Sequence, residues 1–212
     1  MRARAPLPTP PVGRRTQAAA LLAVVASYAA VRSGRSADLD RRAAKALAYP
    51  LGRHVDRLVA AGTDLGSVYG LAGVAGTLAV AGRRRAAADL ALAGLAAWGA
   101  AQGTKPLIGR ERPYVAGDAH RMVAIPAGSS WPSGHVAVAA AMASALVPHV
   151  GRGRRRWLHL GSAAVAVSRC YVGVHHLTDV IAGWGIGTLS EAATRGLRRG
   201  WVHQRDRRAT RR

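Results

Sequence analysis

Six stretches of this chain carry almost no charge: residues 17–31, 66–82, 86–104, 134–150, 157–174 and 178–194. Each runs about 15 to 19 residues, near the lower limit for crossing the roughly 30 Å hydrocarbon layer of a bilayer as a helix. A soluble bundle of Ala-rich helices is the competing architecture. It would need polar faces at helical spacing, and stretches such as 71–81 and 136–146 have no charged face. The expected fold class is therefore all-α: a polytopic membrane helical bundle with about six transmembrane helices.

Arginine clusters separate several of these stretches and test that reading independently. With the amino terminus in the cytoplasm and six crossings, the cytoplasmic pieces are 1–16, 83–85, 151–156 and 195–212. They hold 4, 3, 4 and 8 arginines, which is 19 of the 31 basic residues. The short loops 83–85 and 151–156 are both basic and fall on one side, as the positive-inside bias requires. Both termini are then cytoplasmic, and the charged motifs of the second half face outside the cytoplasm. The first apolar stretch follows Arg14-Arg15 and has the outline of a signal peptide, with a conceivable cleavage site after Ala29 or Ala30. An uncleaved first helix is the simpler reading, because it keeps the number of crossings even.

The 212 residues suffice for one domain. Residues 1–16, rich in Pro and Arg, read as disordered. Residues 17–194 read as the membrane domain, with a core at 66–194, and residues 195–212 as a basic cytoplasmic tail. Residues 32–65 mix charge with Ala and Leu and suggest a short amphipathic helix on the membrane surface. Residues 114–131 form a polar, Gly-containing loop. The 31 basic against 10 acidic residues leave a net charge of +21, so the chain must meet something acidic: nucleic acid, anionic lipid or a phosphorylated substrate. Its basic and aromatic residues are not interleaved as a nucleic-acid platform requires, so the expected partners are the bilayer and a phosphorylated lipid. The single cysteine, Cys170, permits no internal disulfide, and nothing in the sequence indicates an oligomeric state.

Three clusters carry the chemistry. Lys105 and Arg112-Pro113 stand seven residues apart, which on a helix would be one face about 10 Å apart. Pro106 and Gly109 argue instead for an irregular helix end. Arg112 offers a planar fork for two phosphate oxygens and Lys105 a point charge, while Arg110 and Glu111 between them would pair with each other or face water. Pro132-Ser133-Gly134-His135 opens an apolar helix, with Ser133 suited to a cap and the free N–H groups of the helix start suited to an anion. Ser168-Arg169 precede His175 and Asp179, whose spacing of four lets the carboxylate accept a hydrogen bond from one ring nitrogen and leave the other as a nucleophile. His176, three residues from Asp179, is the rival nucleophile. Arg169 and His175 share a site only if the chain turns between them, and Gly173 is available for that. Singly, each cluster also reads as a helix cap, a membrane-flanking charge or a surface ion pair.

Together, Lys105-x6-Arg112-Pro113, Pro132-Ser133-Gly134-His135 and Ser168-Arg169-x5-His175-x3-Asp179 resemble the three signature motifs of the type 2 phosphatidic acid phosphatase superfamily in type, order and spacing. The resemblance covers about residues 66–195 and implies a six-helix membrane protein with its active site on the extracytoplasmic face. It implies His175 as nucleophile, favoured over His176, with Asp179 orienting it and His135 as general acid. It further implies Lys105, Arg112, Ser133, Gly134 and Arg169 as the phosphate-binding set. No metal or other cofactor is implied, since fixed cations take that role and the motifs offer one carboxylate. The expected activity is hydrolysis of a lipid or polyprenyl phosphate or pyrophosphate through a phosphohistidine. The alternatives are a vanadium haloperoxidase-like oxidation, from the same superfamily, or a non-catalytic basic protein that binds anionic lipid.

Overall fold

The computed structural model describes residues 12–209, with side chains to residue 198. Of the stretch expected to be disordered, residues 1–11 lie outside the described residues, and Arg14–Thr16 already belong to a helix. The last three residues of the basic tail also lie outside.

The described residues form eight α-helices: α1 (Arg14–Arg32), α2 (Ala37–Leu47), α3 (Arg53–Thr63), α4 (Val68–Val80), α5 (Arg84–Thr104), α6 (Gly134–Leu146), α7 (Arg152–Tyr171) and α8 (Leu177–Ala209). Short 3-10 turns follow α3, α5 and α6, and there is no β strand among the described residues. Each of the six charge-poor stretches is helical, which bears out the all-α class. Among the described residues no single helix is long and apolar enough by itself to cross a membrane, although Arg53–Gly66 and Val68–Val80 meet that test together across a bend of 71°. Ala and Gly dilute the hydropathy of α5 and α7, and arginines begin both helices. The segment 32–65 forms two helices, α2 and α3, rather than one.

Small residues set the packing. Ala93, Ala97 and Ala101 of α5 meet Ala137, Ala141 and Ala145 of α6, with Ile186 of α8 against both. The spacing of four places each set on one helix face. The seam lets the backbones approach closely, the device that drives helix association where lipid removes the hydrophobic driving force. On α8, a Cβ at Gly187 would lie 2.2 Å from the Ala137 carbonyl oxygen of α6, and one at Gly185 would lie 2.5 Å from the Ala20 carbonyl oxygen of α1. The bare backbone of α8 is thus gripped from two sides.

The chain runs back and forth, so α5 ends, α6 begins, α7 ends and α8 begins at one end of the bundle. Those four points are where Lys105, Ser133 to His135, Arg169 and His175 to Asp179 lie. The arginine-rich segments gather at the other end. There Arg83 donates to the His149 carbonyl, Arg198 pairs with Asp89, and Arg195 donates to the Ser144 carbonyl at 3.0 Å.

Candidate active site

At the C-terminus of α5 the chain tightens into the 3-10 turn Lys105–Leu107, begun by Pro106, which is the irregular helix end expected there. Lys105 Nζ donates to the Ser129 carbonyl, and Ser129 Oγ returns a bond to the Lys105 carbonyl at 3.1 Å. Arg112 is buried. Its Nη2 donates to the Ala127 and Ser129 carbonyls at 3.1 and 3.3 Å, and its Nη1 to the Val174 carbonyl at 2.9 Å. The fork that suits two phosphate oxygens therefore also ties the 114–131 loop to the turn before α8.

That turn depends on Gly173. Its φ is +73°, and a Cβ there would meet the His120 carbonyl oxygen at 2.2 Å, so both the left-handed backbone and the close approach of the loop call for glycine. The turn swings His175 back beside Arg169, although the two are six residues apart. His175 is almost wholly buried. Its Nε2 lies 3.5 Å from Arg112 Nη1, and its Nδ1 lies 3.7 Å from Asp179 Oδ2, longer than a hydrogen bond. His176 faces elsewhere: its Nε2 lies 3.3 Å from the Glu111 carbonyl, and its backbone N–H donates to Asp179 Oδ2 at 2.8 Å.

A cavity of about 540 Å³ collects Lys105, Arg112, Gly134, His135, Arg169 and His175 on its walls, with Val68, Tyr69, Trp98 and Gln102 among the other residues that line it. Six of the eight expected site residues thus line it directly, while Asp179 and Ser133 stand behind, both with no exposed surface. Ser133 is the N-cap of α6, but its side chain makes no capping bond. Its Oγ and Arg169 Nε are both buried without a protein partner, unsatisfied donors of the kind that a ligand can complete. The first N–H groups of α6 add donors with no partner in their own helix.

The electrostatics of the site follow from burial among like charges. Burial lowers the Lys105 ammonium to about 8, and the neighbouring Arg112 pushes in the same direction. Burial lowers the His175 imidazole to about 3, opposed by Asp179 and assisted by Arg169 and Arg112. At neutral pH His175 is thus an uncharged ring with a free lone pair, and Lys105 is mostly charged.

Five further residues come to the site that the sequence alone did not indicate. Arg110 neither pairs with Glu111 nor faces water. It donates from Nη1 to Asp179 Oδ1 at 2.8 Å and from Nη2 to Asp40 Oδ2 at 2.7 Å. Ser130 Oγ donates to Asp179 Oδ2 at 2.5 Å. Thr63 Oγ1 accepts from Arg169 Nη1 at 3.2 Å and from Ser168 Oγ at 2.7 Å. Asp64 Oδ1 lies 3.8 Å from His135 Nε2. One signal for Asp40 was readable: it shares a face of α2 with Ala44 and Leu47, a carboxylate on an otherwise apolar stripe.

The sequence pattern of the PAP2 superfamily matches residues 86–201. The chain belongs to the PAP2 superfamily. Membership bears out the resemblance carried by the three clusters and, with it, the expected class of hydrolase acting on phosphoric esters. No curated protein matches the chain by sequence. Among solved structures, it is similar to the first transmembrane PAP2 type phosphatidylglycerolphosphate phosphatase from Bacillus subtilis. That match has a TM-score of 0.73 and 21% identity over 87% of this chain and 96% of the other. It is also similar to Aquifex aeolicus LpxE, with a TM-score of 0.64 and 24% identity over 72% of this chain and 92% of the other. These likenesses concern the fold. The PAP2 match spans every expected site residue but excludes α1 to α4, and with them Asp40, Thr63 and Asp64.

Proposed function

We propose that this PAP2 protein is a metal-independent phosphatase that hydrolyses a lipid or polyprenyl phosphate monoester or pyrophosphate through a phosphohistidine, at the extracytoplasmic face of the membrane. The observation that carries the proposal is the single cavity shared by three cations, Lys105, Arg112 and Arg169, and two histidines, His135 and His175. A phosphate monoester repels nucleophiles because its oxygens are negative, and preorganised cations and N–H groups offset that charge most strongly as it shifts in the transition state.

In this mechanism His175 Nε2 attacks phosphorus in line, and the P–O bond to the leaving alcohol breaks as the N–P bond forms. Asp179 lies behind Nδ1 and holds the ring so that Nε2 is the unprotonated nitrogen. His135 protonates the departing alkoxide, then takes a proton from the water that attacks the phosphohistidine and regenerates His175. Ser133 and Arg169 Nε direct their unpartnered donors to the phosphate. Metal chemistry has no required part in these steps, because fixed cations supply the positive charge.

A lipid substrate fits the asymmetry of the cavity. One wall is cationic, and the other is Val68, Tyr69 and Trp98, of which Tyr69 is 89% and Trp98 41% exposed on the outer surface of α4 and α5. A phosphate at head-group depth would meet the cations while the chain lies along those side chains. One of the similar structures is a phosphatidylglycerolphosphate phosphatase, in keeping with a substrate of this class. The extracytoplasmic placement is supported by the gathering of the arginine segments at the opposite end of the bundle.

The test is phosphate release by the full chain, purified in detergent, from a panel of phosphatidic acid, phosphatidylglycerol phosphate, a polyprenyl phosphosugar and a polyprenyl pyrophosphate. Release is expected from at least one of them, unchanged by chelator and abolished in His175→Ala. Substantial activity in that variant refutes the nucleophile, and loss on chelation refutes the metal-free mechanism.

A further inference from the structure

The segment 37–66 carries none of the PAP2 motifs, yet its side chains reach the site at three points: Asp40 to Arg110, Thr63 to Arg169, and Asp64 to His135. The first contact is the most heavily built. Asp40 is 1% exposed and Asp179 fully buried, and the Arg110 guanidinium lies between them with one nitrogen on each carboxylate. Burying two carboxylates is costly unless both are paired and hydrogen-bonded, and here every carboxylate oxygen has a donor.

The donors are not interchangeable. Arg110 Nη1 occupies Asp179 Oδ1, while Oδ2, the oxygen nearer His175 Nδ1, takes Ser130 Oγ and the His176 N–H. A carboxylate can turn about its last bond with little restraint. The guanidinium on Oδ1 stops that rotation and fixes which oxygen His175 meets. Asp40 holds the guanidinium in turn. A single-carboxylate partner would leave the second nitrogen free to swing toward water. Asp40 also accepts from the Thr178 backbone N–H at 3.0 Å and from Thr178 Oγ1 at 2.9 Å. Thr178 is the second residue of α8, so Asp40 caps that helix from a distant part of the chain, in place of a Ser or Asp at its own N-cap.

We infer that Asp40 and Arg110 are positioning residues for the reaction: Arg110 locks the Asp179 carboxylate in the rotamer that presents Oδ2 to His175, and Asp40 locks both Arg110 and the first turn of α8. This rests on the reading of Asp179 as the partner of the nucleophile. It makes α2 part of the machinery rather than a surface appendage.

The experiment uses the full chain in detergent and the lipid panel above, with Asp40→Asn, Arg110→Lys, Arg110→Gln and the double variant Asp40→Asn/Arg110→Gln. Arg110→Lys keeps the charge but cannot bridge two carboxylates, so it reports on geometry where the neutral variants fold poorly. A second-layer group that orients a reacting one typically contributes roughly 10- to 100-fold, and kcat is expected to fall by that amount. KM should stay within about threefold, because the phosphate-binding cations are untouched. The double variant is expected to be no slower than the slower single one, since both changes break the same link. Wild-type kcat in Asp40→Asn and Arg110→Lys overturns the inference, as does a parallel loss of kcat, rise of KM and fall of thermal midpoint, the pattern of a merely structural pair. A wild type that releases no phosphate from the whole panel refutes the phosphatase reading alone. In that case the ring ¹⁵N signals of His175, assigned against His175→Gln, decide: a changed tautomer balance in Arg110→Lys supports the positioning role, and an unchanged one overturns it.

Discussion

Arg112 holds the carbonyl oxygens of Ala127, Ser129 and Val174 while its Nη1 lies beside His175 Nε2, so one side chain both builds the cavity wall and charges it. Lys105 is less committed and more exposed to titration. Burial and Arg112 lower it to about 8. A lysine loses its charge as pH rises through its pKa, so the cation proposed to bind the phosphate is present below about pH 8 and lost above it. kcat/KM is therefore expected to fall on the alkaline side with a midpoint near that value. Lys105→Arg, which stays charged, should move the fall to higher pH, and an alkaline limb that ignores this substitution would remove Lys105 from the site. Spacing within three short clusters marked Lys105, Arg112, His135, Arg169, His175 and Asp179 as candidates, and the fold brings the first five to one cavity with Asp179 behind it. Arg110 was misread for the converse reason: its partners are 69 and 70 residues away in sequence, and no local rule brings α2 beside α8. Thr63 and Ser130 escaped similarly, as ordinary hydroxyls whose roles arise only from what folds against them.

At the scale of elements, the six apolar stretches located the long helices, but α7 begins five residues before its stretch and α8 runs on to Ala209, fifteen residues past the end of its own, because charged residues continue a helix that hydropathy alone does not count. The break between α3 and α4 was less apparent. Ser67 supplies it, in an extended conformation with its Oγ accepting from the Gly70 N–H at 3.0 Å. How the helices pack was not legible at all, since a glycine in sequence does not say what approaches it. Two glycines now make opposite predictions. Gly187→Ala puts a Cβ 2.2 Å from the backbone oxygen of Ala137, and forcing α8 from α6 should destabilise the fold by about 1–3 kcal/mol. Gly161→Ala, on α7, meets nothing within 4 Å, and the gain in helix propensity should stabilise it by about 0.5–1 kcal/mol. Thermal midpoints in detergent measure both, and a shift of the same sign in the two variants would show that the α6–α8 seam is looser than described.

For the molecule as a whole, the separation of the site end from the arginine end makes orientation testable. Cys170 is the one cysteine and is buried, so a Cys170→Ala background gives a clean start for labelling. Val115→Cys, on the site-end loop, should react with a membrane-impermeant maleimide in intact cells. Gly153→Cys, among the arginines, should react only after permeabilisation. The reverse pattern would invert the proposed topology. The first helix also belongs to this scale. Its Ser27 Oγ donates to the Thr178 carbonyl at 2.8 Å and accepts from the Trp131 indole N–H at 2.9 Å, and its Ala20 lies against Gly185. α1 is thereby seated on α8 and on the loop beside Ser133. During synthesis α1 emerges early and its partner arrives late: 151 residues separate Ser27 from Thr178, about 8 to 30 s of elongation at typical rates. Through that interval α1 waits with its inner face uncovered, and the ribosome must deliver Asp179 and the seat for α1 in the same stretch of chain. The seat for α1 and the last residues of the candidate site thus arrive together, at the start of α8.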